Sequence, residues 1–219
     1  MLLEEERNTV VFYCQEMAKG MLTHGTGGNV SVYNRGLGLI AISPSGMDYL
    51  AMKPEDVTVI DIDGNIVDGE RIPSSEMWLH IAAYRENDTF NAVVHTHSTY
   101  CTVAACIGKD VPAVHYLIGM AGGDHLPCIP YYLYGSRELA EGVAAQYRRE
   151  PQVRAMLLGN HGLVSAAPTA AQAFSQCDQL EFVCELYVNL LKTGGMNVLT
   201  SEQMALVVEK FKGYGQKKG

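Results

Sequence analysis

The sequence predicts an α/β fold, a single domain with a central, mainly antiparallel sheet flanked by helices. Three observations carry this. Short apolar runs joined by tight turns recur, as at residues 30–33, 37–42 and 57–62. Helical spacings are interspersed among them without the regular strand–helix–strand rhythm of a parallel sheet. No repeat, low-complexity linker or composition break divides the 219 residues, so residues 1–219 read as one domain, with 216–219 expected as a mobile tail.

Each element follows from local signals. Residues 4–22 place Val10, Val11, Cys14, Met17, Ala18 and Met21 at helical spacing, with Gly20 and Gly25 as punctuation. Thr26-Gly27-Gly28-Asn29 turns into a strand at 30–33, and Asn34-Arg35-Gly36 returns it as 37–42. Ser43-Pro44-Ser45-Gly46 is another turn. The strand at 57–62 returns through Asp63-Gly64-Asn65 to Ile66-Val67. Ser74 or Ser75 is expected to cap a helix reaching about Glu86. Residues 88–97 hold an apolar strand, and Ser98 starts the next helix. Residues 111–118 read as extended, before a glycine-rich loop at 119–124. Ser136 caps a helix to about Arg149. A buried strand at 155–158 pairs with 163–166 across Asn160-His161-Gly162. A long helix spans 169–191 and a final one 201–212.

Composition narrows the function classes. Hydrophobic residues make up 47% and charged residues 18%, ordinary for a globular protein. Sixteen basic against twenty-four acidic residues give −8, which argues against a nucleic-acid partner. No apolar run reaches the length of a membrane span, and Met1-Leu2-Leu3-Glu4-Glu5-Glu6 lacks a signal-peptide core. A cytoplasmic location without a membrane partner is expected. The six cysteines form no CxxC pair and read as reduced, mostly buried thiols. No phosphate-loop motif ending in Gly-Lys-Ser/Thr occurs, so a nucleoside triphosphatase is not indicated.

The chemistry concentrates at His95-Thr96-His97. A strand places residues i and i+2 on one face, so both imidazoles point the same way. Two unpaired imidazoles ending so apolar a strand would be costly. Glu76 and His161 complete a set, and three histidines with a displaceable carboxylate suit Zn²⁺ with a position left for substrate. Glu76 alone also fits N-terminal helix capping. The turns at 26–29, 43–46 and 74–75 offer small hydroxyl and amide side chains and free backbone N–H groups. Together they suit a phosphate, although each also reads as a plain turn. None contains a lysine. His24 and His80 read as helix-end and helix-surface residues, and His125 as a loop residue without a partner. Tyr116, beside His115 and the glycine-rich loop, reads as a proton donor or as a packed aromatic.

Gly25-Thr26-Gly27-Gly28-Asn29-Val30-Ser31, Ser43-Pro44-Ser45-Gly46, Pro73-Ser74-Ser75-Glu76, Ala92-Val93-Val94-His95-Thr96-His97 and Asn160-His161-Gly162, in this order, resemble the class II aldolase/adducin-like family over nearly the whole chain. Pro112-Ala113-Val114-His115-Tyr116 and residues 209–215 resemble its aldolases in particular. The resemblance implies an α/β fold and a zinc-dependent lyase that reversibly cleaves a ketose 1-phosphate to dihydroxyacetone phosphate and an aldehyde. L-fuculose 1-phosphate, giving L-lactaldehyde, is the expected substrate. Alternatives on the same scaffold are 5-deoxyribulose or methylthioribulose 1-phosphate cleavage and 4-epimerisation of L-ribulose 5-phosphate. A non-catalytic sugar-phosphate-binding zinc protein is a further alternative.

Residue by residue, the resemblance implies Zn²⁺ on His95, His97 and His161, with Glu76 as fourth ligand and base. It implies a phosphate held by Thr26, Asn29, Ser45, Gly46, Ser74 and Ser75. Tyr116 would protonate the aldehyde oxygen from a neighbouring subunit of a four-fold homotetramer, and Tyr214 on the tail would help close the site. The epimerases carry an aspartate near the Tyr116 region. No aspartate lies between Asp110 and Asp124 here, which weighs against epimerisation. Retention of Glu76 and Tyr116 weighs against mere binding, which needs no proton donor. The metal would act as an electron sink beside the breaking C3–C4 bond, and no Schiff-base lysine lies near the motifs.

Overall fold

The computed structural model describes residues 1–211 and 213. Helix α1 (Glu4–Lys19) leads to strands β1 (Asn29–Asn34), β2 (Leu39–Ile42), β3 (Thr58–Asp61) and β4 (Ile66–Asp68). Helix α2 (Met77–Glu86), strand β5 (Ala92–Thr96) and helix α3 (Thr99–Ile107) follow. The short strands β6 (Val111–Pro112), β7 (His125–Leu126) and β8 (Cys128–Ile129) precede α4 (Arg137–Arg149). Strands β9 (Ala155–Leu158) and β10 (Gly162–Ala167) and helices α5 (Ala170–Leu190) and α6 (Ser201–Phe211) complete the described chain. One sheet runs β4-β3-β2-β1-β5-β10-β9-β8. Its pairings among the described residues are antiparallel except for β8 with β9. The sheet is thus mainly antiparallel, as expected, and helices cover both faces.

Strand β5 lies at the centre, between β1 and β10. All five of its residues are buried, because alternate side chains enter different cores. Val94 packs in the cluster that holds Cys14 and Met17 of α1 and Cys177 of α5. Val93 packs in the cluster that holds Leu79 and Tyr84 of α2 and Tyr147 of α4. His95 has the parity of Val93 and therefore meets α2. That parity decides which helix reaches the histidine pair.

Several boundaries differ from the sequence reading. Helix α1 ends at Lys19, where Gly20 caps it and Met21 takes a positive φ of 55°. Leu37 belongs to the turn before β2 and is exposed. Residues 111–118 are not one extended run. After two strand residues, a 3₁₀ turn spans Tyr116–Ala121, started by His115 Nδ1 accepting from the Leu117 N–H at 3.3 Å. Neither Ser74 nor Ser75 caps α2. Glu76 is the capping position, and Ser74 Oγ instead accepts from the Glu76 N–H at 3.2 Å. Ser136 caps α4 as expected, accepting from Leu139 N–H. Ser98 Oγ donates to Glu181 of α5 rather than capping α3 with its oxygen. Four cysteines are buried, Cys106 is exposed and Cys128 is half-buried. No helix among the described residues is long and apolar enough to cross a membrane. Tyr214 and the expected tail at 216–219 lie outside the described residues.

Candidate active site

Four side chains from three places in the sequence meet at one end of the sheet. His95 lies near the end of β5 and is fully buried. His97 stands two residues beyond it on the same side. His161 sits in the β9–β10 turn, aimed by Asn160 at a positive φ of 55°. Glu76 is the last residue before α2. The ligand atoms of all four lie within 4.8 Å of one another. His95 Nε2 is 3.0 Å from His97 Nε2, 3.3 Å from His161 Nε2 and 3.3 Å from Glu76 Oε2. Glu76 Oε1 stands 3.3 Å from His161 Nε2 and is buried without a hydrogen bond.

Close backbone approach builds this cluster. A Cβ on Gly27 would meet His97 Nδ1 at 2.4 Å, and one on Gly162 would meet the Thr96 carbonyl oxygen at 2.3 Å. Glycine at these positions lets the β1 and β10 ends lie directly against the His95–His97 segment.

The electrostatics fit a cation. Burial opposes charge on Glu76, but His95, His161 and the Asn29 amide outweigh it and hold the carboxyl well below its usual range. Burial and the neighbouring imidazoles push His97 down to about 3, and burial with His95 pushes His161 down to about 4. His95 alone is raised: burial opposes its charge, but Glu76 and the Leu163 carbonyl favour it. Its Nδ1 lies 2.9 Å from that carbonyl oxygen, so Nδ1 carries the proton that donates and Nε2 faces the cluster. His95 Nε2 lies within hydrogen-bonding distance of both other ring nitrogens, and its one lone pair cannot serve both. A divalent ion held by His95, His97, His161 and Glu76 would take up the three ring lone pairs and the orphaned carboxylate oxygen, so the residues fit a metal.

The cluster opens into a pocket of about 480 Å³. The three small-residue turns wall it: Thr26 to Asn29, Pro44 to Gly46, and Ser74 with Ser75. The structure therefore brings together every residue singled out for the metal and the phosphate. Pro44 and Pro73 form an isolated β-bridge that ties two of these turns side by side. Asn29 is more constrained than a free phosphate ligand, because its Nδ2 donates to Glu76 Oε2 at 3.0 Å.

Tyr116 is not brought into this pocket within one chain. It is 48% exposed on its 3₁₀ turn and packs against His115 and, more loosely, Phe211 of α6, with ring centroids 4.5 and 6.3 Å away. Tyr131, Tyr132 and Tyr134 do line the pocket and were missed in the sequence. The signal was there: the run Tyr131-Tyr132-Leu133-Tyr134 is aromatic yet sits between Pro130 and Gly135, outside any strand. His80 is not a helix-surface residue but fully buried beside Asn29, since α2 turns that side toward the sheet. His125 has partners after all, with Nδ1 2.9 Å from Asp124 and Nε2 3.4 Å from Glu150.

The Class II Aldolase and Adducin N-terminal domain family matches residues 8–188. The chain belongs to this family. It is 43% identical over 216 residues to a 5-deoxy-D-ribulose 1-phosphate aldolase of Bacillus thuringiensis serovar kurstaki, covering 99% of this chain and 100% of that one. It is 38% identical over 208 residues to an L-fuculose phosphate aldolase of Escherichia coli, covering 94% of each. A solved structure of an L-fuculose 1-phosphate aldolase superposes with a TM-score of 0.90 at 39% identity, over 95% of this chain and 96% of that one. This class II aldolase is thus a carbon–carbon lyase of a metal-dependent class, and its four-residue cluster is where a metal fits.

Proposed function

We propose that the protein is a zinc-dependent aldolase that reversibly cleaves a ketose 1-phosphate to dihydroxyacetone phosphate and a short aldehyde. The observation that carries this is the floor and walls of one pocket: a three-histidine, one-carboxylate cluster below, and three turns rich in hydroxyl and backbone N–H groups around it. Three borderline imidazole nitrogens with one carboxylate suit Zn²⁺. When bound, the ion supplies Lewis-acid stabilisation to the negative charge that develops on substrate oxygens.

The chain's own groups do the rest. Thr26, Asn29, Ser45, Gly46, Ser74 and Ser75 hold the phosphate with neutral donors. Glu76, ionised and with Oε1 unengaged, removes the C3 proton of dihydroxyacetone phosphate during synthesis, and in cleavage the protonated carboxyl, the same state reached from the other side, returns that proton to C3. Tyr116 gives its hydroxyl proton to the aldehyde oxygen in synthesis, and in cleavage its phenolate takes the C4 hydroxyl proton, with solvent resetting Tyr116 and Glu76 between turnovers. Because Tyr116 lies outside its own chain's pocket, it acts from a neighbouring subunit of a homotetramer with sites at the subunit boundaries.

L-fuculose 1-phosphate is the proposed substrate. A second reading, 5-deoxyribulose 1-phosphate, is favoured by the 43% identical relative. Both sugars share the dihydroxyacetone phosphate half and end in a methyl group, which suits the tyrosine-lined side of the pocket. The test is cleavage by the zinc enzyme, read as dihydroxyacetone phosphate from L-fuculose, 5-deoxyribulose and methylthioribulose 1-phosphates and as dihydroxyacetone from free L-fuculose, with epimer formation from L-ribulose 5-phosphate measured alongside. Release from a 1-phosphate at much higher kcat/KM than from free L-fuculose supports the proposal. No release from any 1-phosphate refutes it, and equal efficiency on the free sugar removes the phosphate assignment.

A further inference from the structure

A row of buried polar side chains runs from the pocket into the α2–β1 interface. Glu76, His80 and Tyr84 follow at four-residue spacing along α2, and Asn29 and Ser31 at two-residue spacing along β1. The two rows interlock. Asn29 Nδ2 donates to Glu76 Oε2 at 3.0 Å, and Asn29 Oδ1 is 2.5 Å from His80 Nε2. His80 Nδ1 is 2.7 Å from Ser31 Oγ, which is 2.6 Å from the Tyr84 hydroxyl. All four partners of Glu76 in this row are buried.

Chemistry gives the row one direction. An ionised Glu76 only accepts, so Asn29 must face it with its NH₂. Asn29 Oδ1 then needs a donor, and His80 Nε2–H is the group in reach. Burial pushes His80 down to about 3, with His95 adding to the effect, so its imidazole is neutral and Nδ1 is an acceptor. Ser31 therefore donates to Nδ1 and accepts from Tyr84. Every proton in the row points toward the carboxylate. We propose that His80 is a positioning residue, which fixes the Asn29 amide so that an N–H, not a carbonyl oxygen, faces Glu76. Without the His80 donor, Oδ1 of Asn29 is left buried and unpaired. The amide then turns toward the solvated pocket, and the carboxylate loses the contact that sets its place. This rests on the reading of Glu76 as the proton-transfer group.

The test compares three substitutions in the zinc enzyme. His80→Gln places an amide N–H near the position that Nε2 holds. His80→Asn reaches only the Nδ1 position, and His80→Phe keeps ring volume without a donor. Outer-shell partners of this kind typically matter ~10–100-fold. His80→Phe and His80→Asn are expected to lose kcat by that order, with KM and zinc content little changed. The exchange of the C3 proton of dihydroxyacetone phosphate should fall in parallel, and His80→Gln should recover most of it. Nitrogen NMR of the unaltered protein should show His80 as the neutral Nε2–H tautomer throughout the neutral range. Unchanged kcat in His80→Phe while Glu76→Gln is inactive overturns the role of His80, as does an Nδ1–H tautomer. Should His80→Phe fail to fold, His80→Asn outperforming His80→Gln overturns it equally. Full turnover in Glu76→Gln overturns the role of Glu76 first, and this inference with it.

Discussion

Asn29 of β1 and His95 of β5 are direct partners in the antiparallel register. One strand pair therefore sets side by side the amide that touches Glu76 and the imidazole at the centre of the histidine cluster. Rigid sheet, rather than loop, fixes the relation between the amide that holds the proposed proton-transfer group and a histidine of the proposed metal site.

Replacement of Glu76 by Gln should separate its two proposed duties. The amide keeps the shape and one oxygen toward His161 but cannot take a proton. General-base contributions are typically ~10²–10⁴-fold. Turnover should fall by that order while the far-ultraviolet circular dichroism stays unchanged. Near-normal turnover would reduce Glu76 to a ligand or a helix cap.

The metal assignment predicts about one zinc ion per chain, as four-ligand sites hold. His161→Ala should lower that content and abolish activity. Its Nδ1 is buried without a partner, so little but the cluster depends on this ring. Elemental analysis that finds no divalent ion in the unaltered protein, with activity indifferent to chelators, would sink the assignment.

Much of this site was legible before the structure. The His95–His97 spacing is unambiguous once residues 88–97 read as a strand, because period two leaves no choice of face. The small-residue turns were legible for a similar reason, since glycine and serine clusters break both periods. His80 was not. On a helix read only from its cap, a histidine defaults to the surface, and only the partner strand shows that the Glu76–His80–Tyr84 side is the buried one. The conformation of residues 111–118 was misread because an apolar run of eight residues reads as a strand, whereas His115 accepting from Leu117 N–H accompanies a 3₁₀ turn from Tyr116. The short parallel pairing of β8 with β9 spans two residues per strand, too few for any periodic signal.

Gly27→Ala should damage the metal site without altering a ligand. The added methyl would stand 2.4 Å from His97 Nδ1, so the ring must move. Overpacking of this kind typically costs ~1–3 kcal/mol. Zinc titration should show weakened affinity, and a thermal melt a lowered Tm. Unchanged zinc affinity would mean that the turn yields instead of the ring.

Acid should destabilise the metal-free protein. His80 is held down to about 3, His97 to about 3 and His161 to about 4, against about 6.5 in an unfolded chain. Below pH ~6.5 the unfolded state binds protons that these folded groups refuse. Their contribution is therefore complete above that pH and lost as the pH falls toward 4 and then 3. Glu76, also lowered, acts in the same sense at still lower pH. His95 is raised, so its contribution is complete below pH ~6.5 and is lost only as the pH rises above it, outside this window. Urea midpoints of the chelated protein should fall steadily from about pH 6.5 to about 4. Flat midpoints across that range would contradict the burial of these rings as neutral species.

Tyr116 carries the prediction that links chemistry to assembly. Within one chain its ring is half exposed and away from the pocket, packed near His115 and Phe211. Proton exchange at C3 of dihydroxyacetone phosphate needs the metal and Glu76 alone, whereas carbon–carbon cleavage also needs proton traffic at the aldehyde oxygen. Tyr116→Phe should therefore lose cleavage and keep exchange, while Glu76→Gln loses both. A hydroxyl supplied across a subunit boundary has a second consequence. When inactive Tyr116→Phe and inactive Glu76→Gln subunits are mixed, some boundaries regain an intact Glu76 from one chain and an intact Tyr116 from the other. Activity should reappear in the mixture, up to roughly a quarter of normal if subunits assort at random around a closed ring and each boundary acts alone. Absence of recovery after exchange has been verified by mass would place both residues in one subunit's site, or leave Tyr116 to packing.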